Sequence, residues 1–137
     1  MSSTIISPRA PDALGPYPHA RRVGNLLFIS GMGPRRRGEK TVPGVELDGA
    51  GRIVRYDIEA QCRAVFDNVR VILEDAGSSW ERLVDVTVFL TDLERDFATY
   101  NRLYGEYFAK VMPCRTTVGV ARLPGPIAIE LKCIATI

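Results

Sequence analysis

The sequence predicts a single α+β domain, a mixed or mostly antiparallel six-stranded sheet with two helices on one face. Three observations carry that reading. Two stretches repeat apolar residues at helical spacing, six shorter runs read as strands, and their order is strand-strand-strand, helix, strand, helix, strand-strand. Two helices against one sheet make a two-layer domain. At 137 residues, all of 1–137 is one domain, long enough to bury roughly two-thirds of the surface its unfolded chain exposes.

The elements follow in order. Thr4-Ile5-Ile6-Ser7 is a short strand stopped by Pro8 and Pro11. Leu14-Gly15-Pro16-Tyr17-Pro18-His19-Ala20 cannot be regular, because each proline removes a donor and restricts its predecessor. Tyr17 and His19 are therefore expected on display in a rigid loop, the alternative being Tyr17 as a lid on the core. Arg21–Asn25 and Leu26–Ser30 read as two strands turning at Gly24-Asn25. The second is apolar almost throughout, as for a strand covered on both faces. From Met32 to Arg52 the chain reads as loop, with a basic triplet Arg35-Arg36-Arg37 whose functional reading is attraction of an anion.

Asp57 is a good N-cap. Ile58, Cys62, Val65, Val69, Ile72, Leu73 and Ala76 then keep helical spacing up to Gly77, a natural stop. Leu83–Thr91 is the clearest strand. Asp92 to Asp96 caps a second helix, Phe97 to Ala109, with an aromatic stripe of Phe97, Tyr100, Tyr104, Tyr107 and Phe108. Asn101 lies one step off that stripe, within reach of a cleft edge.

Cys114–Ala121 and Ile127–Ile137 close the chain as strands around the loop Arg122–Pro126. In the last strand Ile127, Ile129, Leu131, Cys133 and Ala135 share one face, so Glu130 and Lys132 take the other. An arginine opening one strand (Arg115) and a glutamate inside the next (Glu130) can grip a carboxylate and move a proton. The alternative is that the two simply pair across a subunit interface. A sheet face left open by the helices and carrying Glu130, Lys132 and threonines invites self-association, and clefts between identical subunits are common ligand sites.

Composition excludes several classes. A net charge of +2 does not argue for a nucleic-acid or membrane partner. Three widely spaced cysteines without a C-x-x-C suggest free thiols in a reducing compartment, and the N-terminus lacks a secretory pattern, so a cytoplasmic location is expected. His19 is the only histidine and has no partner at metal-ligand spacing, so no metal is expected.

Taken together, Gly15-Pro16-Tyr17, Gly24–Gly31, Asn68-Val69 with Ala76-Gly77-Ser78, Val88–Asp92, Tyr100-Asn101 with Tyr104, Arg115–Val118 and Ile129-Glu130 resemble the RidA (reactive intermediate deaminase) family over nearly the whole chain. The resemblance implies a chorismate-mutase-like fold and a homotrimer, with a hexamer as the alternative, whose ligand clefts lie between subunits. It also implies hydrolysis of enamine or imine carboxylates to ketones and ammonia without a metal or organic cofactor. By resemblance Arg115 clamps the substrate carboxylate, Glu130 handles the attacking water, and Tyr17, Ser30, Gly31 and Asn101 line the pocket. Thr117 stands where many members have cysteine, Pro18-His19 replaces Ser-Gln, and Lys132 replaces what is often a second acid. These departures, with Pro43–Asp48 and Ile129–Lys132, resemble the 2-aminomuconate deaminase branch. There His19, Arg35, Arg36 and Lys132 are candidates for a second carboxylate. A general deaminase of 2-aminoacrylate-like intermediates and a non-catalytic trimer that binds small acids are the competing readings.

Overall fold

The computed structural model describes residues 2–137. Six strands form one sheet in the order β1 (Ser2–Ile5), β2 (Ala20–Val23), β3 (Leu26–Met32), β8 (Ile129–Thr136), β6 (Leu83–Leu90), β7 (Cys114–Gly119). All neighbours are antiparallel except β6 and β7, which run parallel across the helix that joins them. A separate two-stranded hairpin is made by β4 (Val45–Leu47) and β5 (Ile53–Tyr56). Two helices, α1 (Ile58–Asp75) and α2 (Leu93–Phe108), pack together over one sheet face. No helix among the described residues is long and apolar enough to cross a membrane.

The core lies between that face and the helices. From the sheet come Leu27, Ile29, Val86, Val88, Leu90, Ile129, Leu131, Cys133 and Ala135; from the helices come Val65, Val69, Ile72, Leu73, Tyr100, Leu103 and Phe108. The period-two reading of β8 holds along its length, each odd position buried and Glu130, Lys132, Ile134 and Thr136 half-buried on the other face. Helix α1 starts where expected. The Asp57 carboxylate accepts the amides of Glu59 and Ala60, and Gly77 ends the helix at φ +89° while Ser78 N–H closes back on Leu73.

Four expectations change. The first strand lies at Ser2–Ile5 rather than Thr4–Ser7. The segment read as loop, Met32 to Arg52, contains β4 and the turn that leads into β5, and that turn is tied by the Asp48 carboxylate accepting the amides of Ala50 and Arg52. Helix α2 begins at Leu93, four residues before Phe97, because Asp92 itself caps it by accepting the Arg95 amide. Strand β3 is covered on one face only: Leu27 and Ile29 are buried, while Leu26 is exposed and Phe28 and Ser30 half-buried. Those last residues join Thr87, Phe89, Ile134 and Lys132 on the sheet face opposite the one that carries the buried core residues.

Candidate active site

The site grows from an irregularity in β3. Ile29 pairs with Cys133 and Met32 with Leu131, so two residues, Ser30 and Gly31, stand opposite the single residue Lys132. This is a β-bulge, a device that re-aims side chains and is enriched beside active sites. Here it turns Ser30 toward the proline-rich loop. The Ser30 amide donates to the His19 carbonyl and its hydroxyl donates to Pro18 O at 2.7 Å. The Lys132 ammonium reaches back across the bulge to the Ile29 carbonyl.

Beside the bulge, Gly31 makes room for Glu130. A Cβ at position 31 would stand 2.7 Å from Glu130 Oε2 and 3.3 Å from its Cδ. Among the described residues no hydrogen bond or ion pair engages the Glu130 carboxyl, and burial alone pushes its pKa above the ordinary glutamate range. Burial likewise pulls the Lys132 ammonium below the usual lysine range.

Glu130 stands at the junction of two concavities. The shallower is bounded by Tyr17, Ser30, Gly31, Phe89, Pro124 and Lys132. The deeper, about 410 Å³, runs between the loops past Leu14, Met32, Gly33, Val42, Pro124 and Ile127, with Arg35 in its wall. Tyr17, Ser30, Gly31, Pro124 and Glu130 border both. The deep cavity is held open by helix α1: Asn68 Nδ2 donates to the carbonyls of Gly33 and Arg35, and Gln61 Oε1 accepts the Ala128 amide.

A second constellation occupies the edge strand. The Arg115 guanidinium donates to Asn101 Oδ1 at 2.8 Å and lies 4.6 Å from the Tyr104 ring centroid and 5.5 Å from that of Tyr100. Such stacking and a single acceptor fix a planar cation in one orientation. Tyr100 and Thr117 join their hydroxyls at 2.7 Å. The Tyr104 hydroxyl is buried without a partner among the described residues, and burial raises its pKa to about 12.

The sheet register keeps the two constellations apart within one chain. Arg115 pairs with Val86 and Thr117 with Val88, whose side chains belong to the helix-facing core, whereas Glu130 pairs with Phe89 on the open face. Arg115 and Glu130 therefore project from opposite faces of the sheet. With two strand spacings and a three-residue offset between them, their backbones are on the order of 14 Å apart.

Of the expected site residues, Tyr17, Ser30, Gly31, Glu130 and Lys132 come together, and Arg115, Asn101 and Thr117 come together elsewhere. His19 corrects the expectation of display. It is 3% exposed, Nδ1 accepts the Ser7 amide at 2.8 Å and Nε2 lies 2.7 Å from Pro11 O. That pattern requires the neutral Nε2–H tautomer and leaves neither nitrogen for a ligand. Arg36 borders neither concavity. Sequence reasoning did not single out Phe89, Val42, Pro124 or Ile127 as site residues; for Phe89 the signal was available, since it alternates with the buried Val88 and Leu90. Cys62 and Cys133 are buried with thiol pKa values pushed up to about 12, which makes them inert packing groups. Among the described residues no group of three or more His, Cys, Asp or Glu side chains is gathered as a metal centre requires.

This is a cleft of about 410 Å³ in an α+β sheet domain with an unpaired acid among its lining residues, and comparison with known proteins supplies its family. Residues 7–137 match the family model for endoribonuclease L-PSP. A RutC family protein of Pyrococcus horikoshii is 42% identical, with 98% of each chain covered. The 2-iminobutanoate/2-iminopropanoate deaminase of Escherichia coli K12 is 38% identical, again covering 98% of each. Among solved structures, E. coli TdcF with bound serine matches at a TM-score of 0.84 and 34% identity over 98% of each chain. The chain belongs to the endoribonuclease L-PSP family, which includes the RutC and RidA proteins that its sequence resembles.

Proposed function

We propose that the chain is the protomer of an enamine/imine deaminase that hydrolyses 2-imino acids to 2-oxo acids and ammonia, in a cleft completed by Arg115 of a neighbouring copy. The observation that carries this is the Glu130 carboxyl: unpaired, partly desolvated, seated against Gly31 and opening onto two concavities. A relative named for 2-iminobutanoate and 2-iminopropanoate supports the reaction class.

The chemistry needs proton transfers more than a strong nucleophile. An enamine takes a proton at C3 and gives one up from nitrogen to become the imine. Water then adds to C2 while the Glu130 carboxylate accepts one of its protons, and the C=N electron pair moves to nitrogen. The nitrogen takes that proton back, a second proton passes from the C2 hydroxyl through the Glu130 carboxylate to nitrogen, and the C–N bond breaks so that ammonia leaves as the carbonyl forms. A carboxyl with a raised pKa serves both steps, and a positioned acid–base group typically contributes about 10²–10⁴-fold. Arg115, already aimed by Asn101 and Tyr104, would hold the substrate carboxylate and orient C2. The two groups do not meet in one chain, which is the argument for a closed homo-oligomer, and the family resemblance implies that it is a trimer.

Subunit mixing tests this. Arg115→Ala and Glu130→Gln protomers, each inactive alone, are denatured, mixed equally and refolded. With sites shared between neighbours in a ring, about a quarter of the sites regain both groups, and about a quarter of wild-type ammonia release returns. No recovery would place both groups in one chain's site, and an undiminished rate in Glu130→Gln alone would favour a non-catalytic acid-binding protein.

The narrower reading, deamination of 2-aminomuconate, needs a cation for the far carboxylate. Of the four candidates, His19, Arg35 and Lys132 border the concavities and Arg36 borders neither; His19 has both nitrogens engaged, which leaves Arg35 and Lys132. Arg35→Gln should then raise KM for the dicarboxylate while sparing a monocarboxylate imine.

A further inference from the structure

We propose that the deep cavity behind Glu130 is a side-chain pocket, and that it selects 2-imino acids bearing aliphatic substituents of about four carbons. This rests on the deaminase reading and sharpens it, since the E. coli relative is named for imines with one- and two-carbon substituents. The position of Glu130 gives the direction. A substrate carbon beside this carboxyl, with its own carboxylate toward the shallower concavity that Lys132 borders, points its remaining substituent into the deep one.

The cavity is built for an apolar group. Its volume of about 410 Å³ falls within the range of ligand pockets, and its wall is formed largely by Leu14, Met32, Val42, Pro124, Pro126 and Ile127. A methyl group, about the size of one water, would leave most of that space to water lying against hydrocarbon. Val42 and Ile127 strengthen the case. Both are buried, at 6% and 8% exposure, yet neither belongs to the hydrophobic core cluster between sheet and helices. Their burial serves the cavity instead. Its floor depends on Gly33, where a Cβ would come within 3.0 Å of Ile127 Cδ1. The frame is fixed in advance by the prolines and by the bonds from Asn68 and Gln61, so little ordering opposes binding.

The test compares imines generated in situ from alanine, leucine and glutamate by an amino-acid oxidase, with semicarbazide trapping the imine that escapes hydrolysis. Burial of each further carbon is worth about fourfold, so kcat/KM for the leucine imine should exceed that for the alanine imine by about 10- to 60-fold. Val42→Phe, which fills the cavity, should bring that ratio down to about one, and Ile127→Phe should do the same should the first variant fold poorly. A ratio near one in the wild-type protein, or a wild-type ratio that survives both substitutions, overturns the proposal while leaving the deaminase reading intact. So does a glutamate imine preferred over the leucine imine, which would make Arg35 the determinant. Failure to hydrolyse any of the three overturns both.

Discussion

Gly31→Ala should cost turnover far more than stability, because a single methyl group would occupy the space in which the Glu130 carboxyl sits. The new Cβ would lie 2.7 Å from Oε2, where ordinary contact begins at 3.4 Å, so the carboxyl must retreat by roughly 0.7 Å. The clash is with the far end of a flexible side chain, and Gly31 is not among the residues at positive φ, so the backbone accepts alanine. Replacing a strand glycine also removes unfolded-state entropy worth about 0.5–1 kcal/mol, which offsets the push on Glu130. Stability should thus stay within about 1 kcal/mol of wild type. Catalysis has no such compensation, since displacement of a reacting group by about 1 Å costs on the order of 10²-fold. We expect kcat to fall about 30- to 100-fold with an unchanged urea midpoint and assembly state. The substitution should add almost nothing to Glu130→Gln, because the two act through the same carboxyl. Wild-type turnover in a folded Gly31→Ala protein, or a full further loss on the Glu130→Gln background, would refute the reasoning.

Other outcomes follow from the same geometry. The acid limb of the pH–rate profile should lie above pH 4.5, since burial raises the Glu130 pKa and the carboxylate is the form that accepts a proton from water. With its native pKa raised, this group favours the folded state most below its unfolded pKa, and that contribution is lost as pH rises through the folded value. Glu130→Gln should therefore be more stable than wild type at neutral pH in urea titrations, with the advantage disappearing in acid. Asn101→Ala, which frees the Arg115 guanidinium, should raise KM about 3- to 10-fold and leave kcat nearly unchanged, a split that steady-state kinetics reads directly. His19→Ala strands the Ser7 amide and the Pro11 carbonyl in a buried place and should cost about 2–4 kcal/mol of stability by denaturant titration.

What the sequence made legible was whatever local chemistry alone decides. Strict alternation in β8 placed Glu130 and Lys132 away from the core, and the Asp57 cap and Gly77 stop bounded α1 to within a residue. The β4–β5 hairpin escaped because Val45-Glu46-Leu47 is too short for alternation to register, and Asp48–Gly51 carries the turn signals of an open loop. Helix α2 was read late because Leu93-Glu94-Arg95 lacks an apolar period, though Asp92 supplies the cap. The larger omission concerns the site. Arg115 and Glu130 were each placed on the correct strand, but which face of the sheet Arg115 takes depends on its pairing with Val86, a tertiary register absent from either strand alone. The role of His19 was similarly hidden. A histidine between prolines reads as displayed, and only the fold brings Ser7 N–H and Pro11 C=O to its two nitrogens.

Holding Arg115 and Glu130 on opposite faces of one sheet has a chemical consequence for the cleft they are proposed to share. A guanidinium within about 4–6 Å of a carboxylate favours its charged form and lowers its pKa. Were the two to meet in one chain, they would form an ion pair, and Glu130 would lose the proton affinity that returning a proton to the leaving nitrogen requires. In the isolated protomer the arginine is instead occupied by a neutral amide and two aromatic faces, and the pKa of Glu130 is raised by burial alone. In the proposed oligomer, where a neighbouring copy would bring the arginine to the cleft, a bound 2-imino acid would put its own carboxylate between the two groups and neutralise the cation. The acid then keeps a raised pKa at the moment it is needed, and a product that leaves with its carboxylate exposes Glu130 to the guanidinium again. The pKa of Glu130, followed by NMR titration of the carboxyl, should accordingly be higher with a bound 2-oxo acid than in the empty oligomer; a fall on binding would show that the two groups are paired in the working site and that the acid must be supplied elsewhere.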